Sequence, residues 1–422
     1  MKVCHVSYSD IVGGAARASY RICKSLIDYK SDLHIETVLR VLNKNINEPF
    51  IHGYRPKNEF ILWPILRKRL QNIYFKKNFS KKPIGYSIAW PSTGLGKELN
   101  SSDADILNLH FIGNDTLSIE EIARLKKPIV WTFHDMWAFC GAEHYFLPDE
   151  NNLFYNDGKS FSSSEQPIDY KLNYKTWSRK QKYWKKPFTI ITPSKWMHDV
   201  VKDSYIFNNS DIHIIPYPIN TDIWFPVHKY ISREFLGLDR EKKYILFGAV
   251  AGALDPRKGG DLLIEALNIL RSNSQQVNNI ELIVFGQSHG NFEQLTQFRT
   301  HYFGHLHDDI SLRALYTASD VMIVPSRQDN LPNTAIESIA CGTPVVCFNI
   351  GGMPDIIQHQ FNGFLADPFN IEELSNGIES ILSNQDFRDI LSINARKYAV
   401  DNYNPKLISS KYADIYYKVL HS

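Results

Sequence analysis

The sequence predicts an α/β protein made of two doubly wound parallel sheets. Short apolar runs alternate with longer amphipathic runs along the chain, which is typical of β-α-β units. The 422 residues exceed what one hydrophobic core normally supports, so two domains of roughly 200 residues each are expected. A strand followed by Pro-Ser occurs in each half, at residues 190–194 and 322–326. This similarity favours two related sheets.

Apolar runs bounded by turn residues predict the individual strands. In the first half they cover residues 2–8, 34–41, 105–109, 129–133 and 189–192, and in the second half 244–247, 281–285, 321–324 and 345–348. Pro216, Pro218 and Pro226 interrupt periodic structure between the halves. Residues 407–420 place apolar side chains at helical spacing. We therefore expect domains at residues 1–215 and 216–404, followed by a closing helix within residues 405–422.

The composition is that of an ordinary globular protein. Hydrophobic residues make up 43% of the chain, charged residues 22%, and the formal net charge is +2, which argues against a disordered or nucleic-acid-coating protein. Five scattered cysteines without a CxxC pair argue against a disulfide framework and structural zinc. The amino terminus enters a strand pattern directly, and no apolar run reaches 18 residues. These features favour a cytoplasmic protein without a membrane span.

Residues 324–344 combine a strand end, a polar loop and a short helix that stops before Gly342 and Pro344. Backbone N–H groups at the start of such a helix attract phosphate oxygens. Asp329 in the loop and Glu337 in the helix can each accept hydrogen bonds from hydroxyl groups. Together they indicate a nucleotide-sugar ligand. The alternative for these acids is a solvated helix residue and a loop cap.

This segment resembles the paired-acid motif of retaining GT-B glycosyltransferases, in which an acid, seven residues and a Glu precede a small-residue stretch and Gly-Thr-Pro-Val-Val. The resemblance implies two Rossmann-like domains facing a cleft, with the donor mainly on the carboxyl-terminal domain and a closing helix that crosses back. It implies that Glu337 holds the nucleotide ribose and Asp329 contacts the transferred sugar. The family usually has Glu where this chain has Asp329. The remaining donor-binding candidates at this loop and helix start are Asn330, Leu331, Asn333 and Thr334.

Arg257 and Lys258 lie between a predicted strand and an amphipathic helix, where phosphate commonly binds. They are expected to neutralise a leaving diphosphate, although a surface Arg-Lys pair is often merely solvated. The segment resembles the family's basic Lys-Gly element, and Lys258 matches its lysine. Many relatives carry an arginine where this chain has Ala253, and Arg257 is the candidate substitute.

Three further segments follow predicted strands. Gly13 and Gly14 form a turn that permits close approach to a ligand, and the resemblance places such glycines toward donor phosphates. Residues 132–139, Thr-Phe-His-Asp-Met-Trp-Ala-Phe, resemble a bacterial surface-polysaccharide branch of the family, which implies that His134 contacts the transferred sugar. Without that match, a structural histidine is the commoner interpretation. The second-tier candidates for the acceptor site are His110, Asp135 and Trp137.

Two basic, aromatic stretches, residues 67–82 and 171–186, are interpreted either as solvated helix faces or as contacts with anionic lipid. Only Cys140 stands where some relatives carry several cysteines, so we expect no metal and no other cofactor.

The sequence predicts transfer of a sugar, with retention, from a nucleoside diphosphate sugar to a saccharide or lipid-linked saccharide in surface polysaccharide or glycolipid assembly, at the cytoplasmic face of the membrane. The alternatives are a nucleotide-sugar epimerase or hydrolase on the same fold, and a catalytically silent binding subunit.

Overall fold

The computed structural model describes residues 1–29, 34–54, 85–145, 168–248, 255–273, 277–306 and 308–422, together with positions 66, 69, 70 and 73. These residues form two compact units. The first comprises Met1–Pro216 and Ile408–Ser422, and the second comprises Tyr217–Leu407.

The first unit contains a parallel sheet of seven strands within the described residues, in the order β3-β2-β1-β4-β5-β6-β7. The strands are β1 Lys2–Ser9, β2 Glu36–Asn43, β3 Ile51–Gly53, β4 Ile106–Leu109, β5 Ile129–Thr132, β6 Thr189–Thr192 and β7 Asp211–Ile214. Every residue of β4 and β5 is buried, as expected for central strands covered on both faces. The strand order reverses between β1 and β4, and ligands of such sheets bind at this point.

The second unit repeats the plan with six parallel strands in the described residues, in the order β10-β9-β8-β11-β12-β13. The strands are β8 Lys243–Gly248, β9 Ile280–Phe285, β10 Thr300–Tyr302, β11 Val321–Val324, β12 Val345–Phe348 and β13 Gly363–Ala366. Its strand order reverses between β8 and β11. The prediction of two doubly wound parallel sheets is therefore confirmed.

Helices connect the strands of both units. The α-helices whose two ends are both described are α1 Gly14–Asp28, α2 Leu95–Ser101, α3 Ile119–Ala123, α4 Ile168–Tyr183, α5 Lys195–Asp203, α6 Lys229–Phe235, α7 Gly260–Asn273, α8 Phe292–Thr296, α9 Asp309–Ala318, α10 Asn333–Ala340, α11 Ile371–Ser383, α12 Gln385–Tyr403 and α13 Pro405–His421. Several begin where a side chain caps the first turn, such as Ser194 before α5 and Asp308 before α9, because these oxygens accept otherwise unpaired amides. None of these helices is long and apolar enough to cross a membrane.

Each unit has its own apolar core. In the first unit the ring of Trp131 packs edge-on against Phe133, Trp184 and Phe188. In the second unit, aliphatic residues of α7 and α11 pack against β8, β9 and β11. The last helix, α13, belongs mainly to the first unit, where Asn108 donates to the Tyr416 hydroxyl oxygen at 2.6 Å.

All nine predicted strands are present, within one or two residues at most ends. The sequence did not indicate β3, β7, β10 and β13. Strands β3 and β10 have only three residues each, and β7 and β13 contain exposed or half-buried positions. Short edge strands of this kind lack the continuous apolar run that identifies a buried strand.

Candidate functional site

In the second unit, two chain segments follow the carboxyl ends of the neighbouring strands β8 and β11. The first contains a short 3-10 helix, Pro256–Lys258, and the second runs from Pro325 to the start of α10. Because the strand order reverses between β8 and β11, both segments lie at the position where open parallel sheets bind ligands.

Lys258 and Asp329, one from each segment, form an ion pair. The Lys258 Nζ donates to Asp329 Oδ2 at 2.6 Å, and the two side chains are 30% and 13% exposed. The first segment comes this close because Gly259 has φ +66°, and a Cβ there would lie 1.9 Å from the Pro325 carbonyl oxygen. Glycine is therefore required for the close approach of the two segments.

Two arginines of these segments form pairs with carboxylates, and one of them, Arg327, joins the two segments. Arg327 donates to both carboxylate oxygens of Asp261, at 2.8 and 2.5 Å, and to the Pro256 carbonyl. Arg257 forms a bidentate pair with Asp255, at 3.2 and 2.7 Å, and its role as a phosphate ligand stays a prediction. Its guanidinium therefore helps to hold the loop that carries Lys258.

The backbone of Asp329 is held by the glycines that follow β12. The Gly352 amide donates to the Asp329 carbonyl at 3.1 Å. Gly351 has φ +60°, and a Cβ there would lie 2.2 Å from the same oxygen. The position of Asp329 therefore depends on three strand ends, those of β8, β11 and β12.

Helix α10 begins at Asn333, directly after this loop. The residue before it is Pro332, whose own side chain makes no capping hydrogen bond. Asn330 and Leu331 are buried, whereas Asn333 and Thr334 are half-buried. The start of a helix is suited to phosphate because its amides and the helix dipole both favour negative charge.

Glu337 lies on the buried face of α10 and is 3% exposed. Its Oε2 accepts a hydrogen bond from the Tyr316 hydroxyl at 2.9 Å, and Tyr316 is itself fully buried. A solvated helix acid is therefore excluded for Glu337. Sequence reasoning missed Tyr316, whose place in the apolar pattern of α9 gave no sign of a polar contact.

In the first unit, Gly13 and Gly14 stand between β1 and α1. Gly13 has φ +98° and precedes the helix, whose first residue is Gly14. The turn is anchored by Asp10, which is fully buried and accepts hydrogen bonds from the amides of Asn45 and Ile46 at 2.6 and 2.9 Å. Sequence analysis did not single out Asp10.

His134, His110 and His5 form a hydrogen-bonded chain across the neighbouring strands β5, β4 and β1. His134 Nε2 lies 2.9 Å from His110 Nδ1, and His110 Nε2 lies 2.8 Å from His5 Nδ1. The three residues are 6%, 2% and 0% exposed. His134 and His110 also line a small cavity with Asp135 and Trp137. The sequence indicated two of these histidines, but His5 was hidden inside a strand.

Asp135 bonds to His144 rather than to its neighbour His134. His144 Nδ1 lies 2.6 Å from Asp135 Oδ2, and His144 Nε2 lies 2.8 Å from Ser87 Oγ. Burial would raise the pKa of Asp135, but His144 outweighs it and holds that pKa below its ordinary value. Although the connectivity is that of a nucleophilic triad, Ser87 is 2% exposed and accepts the Asn114 amide. The Asp135–His144–Ser87 group therefore has a structural role, because it joins the three loops that carry Ser87, Asn114 and the segment from Asp135 to His144.

Trp137 and the buried Lys180 stabilise the segment that follows. The Trp137 Nε1 donates to the Ser87 carbonyl at 2.7 Å, and its ring lies 3.8 Å from the Lys180 ammonium. That ammonium donates to the carbonyls of Trp137, Cys140 and Gly141, while burial lowers the pKa of Lys180 to about 7. These contacts give Trp137 a structural role. Its prediction as an acceptor contact stays a prediction.

The basic stretch at residues 171–186 lies on α4 and just after it. Trp177 and Trp184 are buried, as is Lys180, whereas Tyr174 and Tyr183 are about 40% exposed. Half of its aromatic residues thus belong to the core. The other basic stretch, residues 67–82, lies almost entirely outside the described residues. Among the described residues no cluster of three His, Cys, Asp or Glu side chains could hold a metal ion.

Comparison with known proteins agrees with this geometry. A family model described as Glycosyltransferase Family 4 matches residues 12–223, half of the chain, and one described as Glycosyl transferases group 1 matches residues 229–398. The chain therefore belongs to the group 1 glycosyltransferases of the GT-B fold.

An uncharacterised glycosyltransferase of Methanocaldococcus jannaschii is 28% identical over 238 residues, 54% of this chain and 59% of that protein. The chain spans about half the length of the curated relatives it matches. Sucrose-phosphate synthase from Thermosynechococcus elongatus has the same fold, with a TM-score of 0.67 and 18% identity over 100% of this chain and 99% of that one. The structure of the Anabaena protein HepE in complex with UDP-glucose also has this fold. Its TM-score is 0.62 and its sequence identity is 15%, over 99% of this chain and 100% of that one.

Proposed function

We propose that the protein is a retaining glycosyltransferase, which moves a sugar from a nucleoside diphosphate sugar to a hydroxyl acceptor. The observation that carries the proposal is the arrangement after β8 and β11. An ammonium, a carboxylate and the start of helix α10 belong to these two segments, and the buried Glu337 lies in the second turn of the same helix. The structure of HepE with UDP-glucose supports a nucleotide-sugar as the donor class.

The second unit supplies groups suited to the donor. Lys258 and the amides at Asn333 and Thr334 would stabilise the negative charge that grows on the leaving diphosphate. Glu337, held by Tyr316, would accept hydrogen bonds from the ribose hydroxyls. Asp329 would contact the transferred sugar, and its ion pair with Lys258 would link the sugar contact to the phosphate contact.

The first unit supplies His134, which would bond to a hydroxyl of the transferred sugar or of the acceptor. We assign no protein nucleophile, since same-face attack by the acceptor needs none, and we propose that the reaction is independent of metal. The acceptor class we propose is a saccharide or a lipid-linked saccharide in polysaccharide or glycolipid assembly, used at the cytoplasmic face of a membrane. Exposed lysines and tyrosines around α4 are the described residues suited to that contact.

A thermal-shift screen against nucleoside diphosphates and their sugars tests the donor assignment. A ligand that binds the folded protein raises its melting temperature by mass action, so one nucleotide series is expected to stand out. Glu337→Gln and Lys258→Ala should each lower the affinity for that ligand by about tenfold, which is about 1.4 kcal/mol of binding free energy.

The matched controls are Glu372→Gln and Lys397→Ala, which change exposed residues of the same unit and should leave binding unaltered. If no nucleotide shifts the melting temperature, or if the site variants bind as tightly as their controls, the assignment is wrong.

A further inference from the structure

Tyr316 lies near the end of α9, and its side chain is fully buried. Its hydroxyl donates to Glu337 Oε2 at 2.9 Å, although the two residues are 21 positions apart in the chain and belong to different helices. A hydrogen bond to an ionised carboxylate is stronger than one between neutral groups. The contact therefore fixes one oxygen of the Glu337 side chain.

The ring of Tyr316 is held in place by its own neighbours. It lies edge-on to Phe285, with ring centroids 5.8 Å apart, and the ring of Trp224 lies 6.0 Å away. The backbone carbonyl of Tyr316 accepts a hydrogen bond from the Thr343 hydroxyl at 2.7 Å. Close packing leaves a buried side chain little freedom to change its rotamer. The Tyr316 hydroxyl therefore keeps its direction toward Glu337.

Glu337 lies one helical turn beyond the phosphate-suited start of α10. It follows Asn333, the first residue of that helix, by four positions, which is about 6 Å along the helix axis. Helical side chains also tilt toward the N-terminus. Within one nucleotide the diphosphate and the ribose hydroxyls are separated by a comparable distance. A diphosphate at the start of α10 would therefore leave the ribose hydroxyls within reach of the Glu337 carboxylate.

The Glu337 carboxylate is suited to a pair of neighbouring hydroxyls. A carboxylate accepts several hydrogen bonds at once, so the bond from Tyr316 is compatible with bonds from a ligand. The two hydroxyls of a ribose can both donate to one carboxylate, whereas a 2′-deoxyribose has lost one of them. Glu337 is 3% exposed, so water cannot readily replace a missing hydroxyl. A buried polar group that loses its ligand partner strongly disfavours the deficient ligand.

We infer that Tyr316 is a positioning residue for Glu337, and that the pair selects a ribonucleoside diphosphate over its 2′-deoxy form as the donor nucleotide. The inference rests on the proposed function, because it concerns the acid assigned to the ribose, and it narrows the substrate class. Glu337 would contact the sugar of the nucleotide and not its base. The selectivity should therefore hold whichever base the donor carries.

Calorimetric titration with UDP, GDP, ADP and CDP, each compared with its 2′-deoxy form, tests the selectivity in the wild-type protein. A ribonucleotide that binds should bind at least about tenfold more tightly than its 2′-deoxy form. Equal or tighter binding of the 2′-deoxy form would overturn the inference and leave the nucleotide site in place. If none of the four ribonucleotides binds, the donor assignment of the proposed function is wrong, and the inference fails with it.

Tyr316→Phe tests the positioning role, because it keeps the packed ring and removes only the hydroxyl. The affinity for the ribonucleotide should fall by about fivefold, whereas that for the 2′-deoxy form should change by less than about twofold, because this form makes less use of Glu337. The ratio of the two affinities should therefore shrink. A role in packing alone would weaken both nucleotides equally, and an unchanged or larger ratio would refute the positioning role.

The matched control is Tyr244→Phe, which removes another fully buried tyrosine hydroxyl of the same unit, near the start of β8. It should leave both affinities unaltered. Adding Tyr316→Phe to Glu337→Gln should have little further effect on the affinity ratio, because both changes act on one contact, and additive effects would contradict the inference. The wild-type comparison needs no substitution, so it decides the selectivity even where a variant is unstable.

Discussion

Gly259 illustrates how one residue without a side chain positions a charged neighbour. Its backbone passes so close to Pro325 that any Cβ would overlap the carbonyl oxygen. This contact brings Lys258 within hydrogen-bonding distance of Asp329, 71 residues later in the chain. The sequence showed a Lys-Gly pair after a strand, but the ion pair could not be predicted, because it depends on which strands are neighbours.

Substituting Gly259 by alanine is expected to destabilise the second unit more than a matched glycine substitution. Gly237 has nearly the same φ, +67° against +66°, and its Cβ would meet nothing within 4 Å. Gly237→Ala should therefore lower the free energy of unfolding only by the strain of a left-handed backbone, about 1 kcal/mol. Gly259→Ala should lower it by about 1–3 kcal/mol more, because its Cβ also overlaps a neighbouring carbonyl. Hydrogen exchange of peptides from β8 and β11 measures the difference, and equal costs would show that the close approach is not required.

At the scale of elements, a buried carboxylate joins parts of the second unit behind the candidate site. Asp320, just before β11, is 3% exposed and accepts from Arg233 of α6 and from Lys229, both at 2.8 Å. The Tyr244 amide of β8 donates to it at 2.7 Å. Burial would raise the pKa of Asp320, but the cations outweigh it, so that pKa lies below its usual range. This network holds β8 and β11 in register.

Asp320→Asn is expected to lower the free energy of unfolding by about 3 kcal/mol at pH 7, because Arg233 is left buried without its charge partner. Because the folded-state pKa is lowered, the stabilisation is complete above the unfolded value near 3.9 and disappears as the pH falls through the lower folded value. Exchange measurements of the same β8 and β11 peptides at pH 7, 5 and 3 should show an equal difference at the first two values and a smaller one at pH 3. Asp199→Asn, which removes an exposed ion pair with Lys195, should cost less than about 1 kcal/mol.

The elements that the sequence predicted well are those with strong local patterns. The buried runs of β4, β5 and β11 could be recognised because all their residues except Asn108 and Thr132 are apolar. The loop around His134 was only partly predictable. Its support comes from Ser87, His144 and Lys180, which lie far apart in sequence and are brought together by the tertiary fold. No local pattern signals such contacts.

At the scale of the whole molecule, the chain has two units of one plan, each with chemistry-bearing residues where its strand order reverses. The paired acids and the Lys-Gly element were sufficient to predict the family, because Asp329 and Glu337 lie in one continuous segment and their spacing can be read directly from the sequence. The partners that hold these residues, such as Tyr316 and Gly351, were not predictable. They come from separate elements and resemble ordinary core and turn residues.

The most direct measurement of the central claim is proton NMR of the anomeric signals during incubation of the protein with a nucleotide-sugar that it binds. The claim predicts that the donor is consumed only when a hydroxyl acceptor is added, and that the product keeps the donor's anomeric configuration. Consumption without acceptor would indicate an epimerase or hydrolase, and an inverted product would contradict retention. Tight binding with no consumption across an acceptor panel would contradict transferase activity altogether.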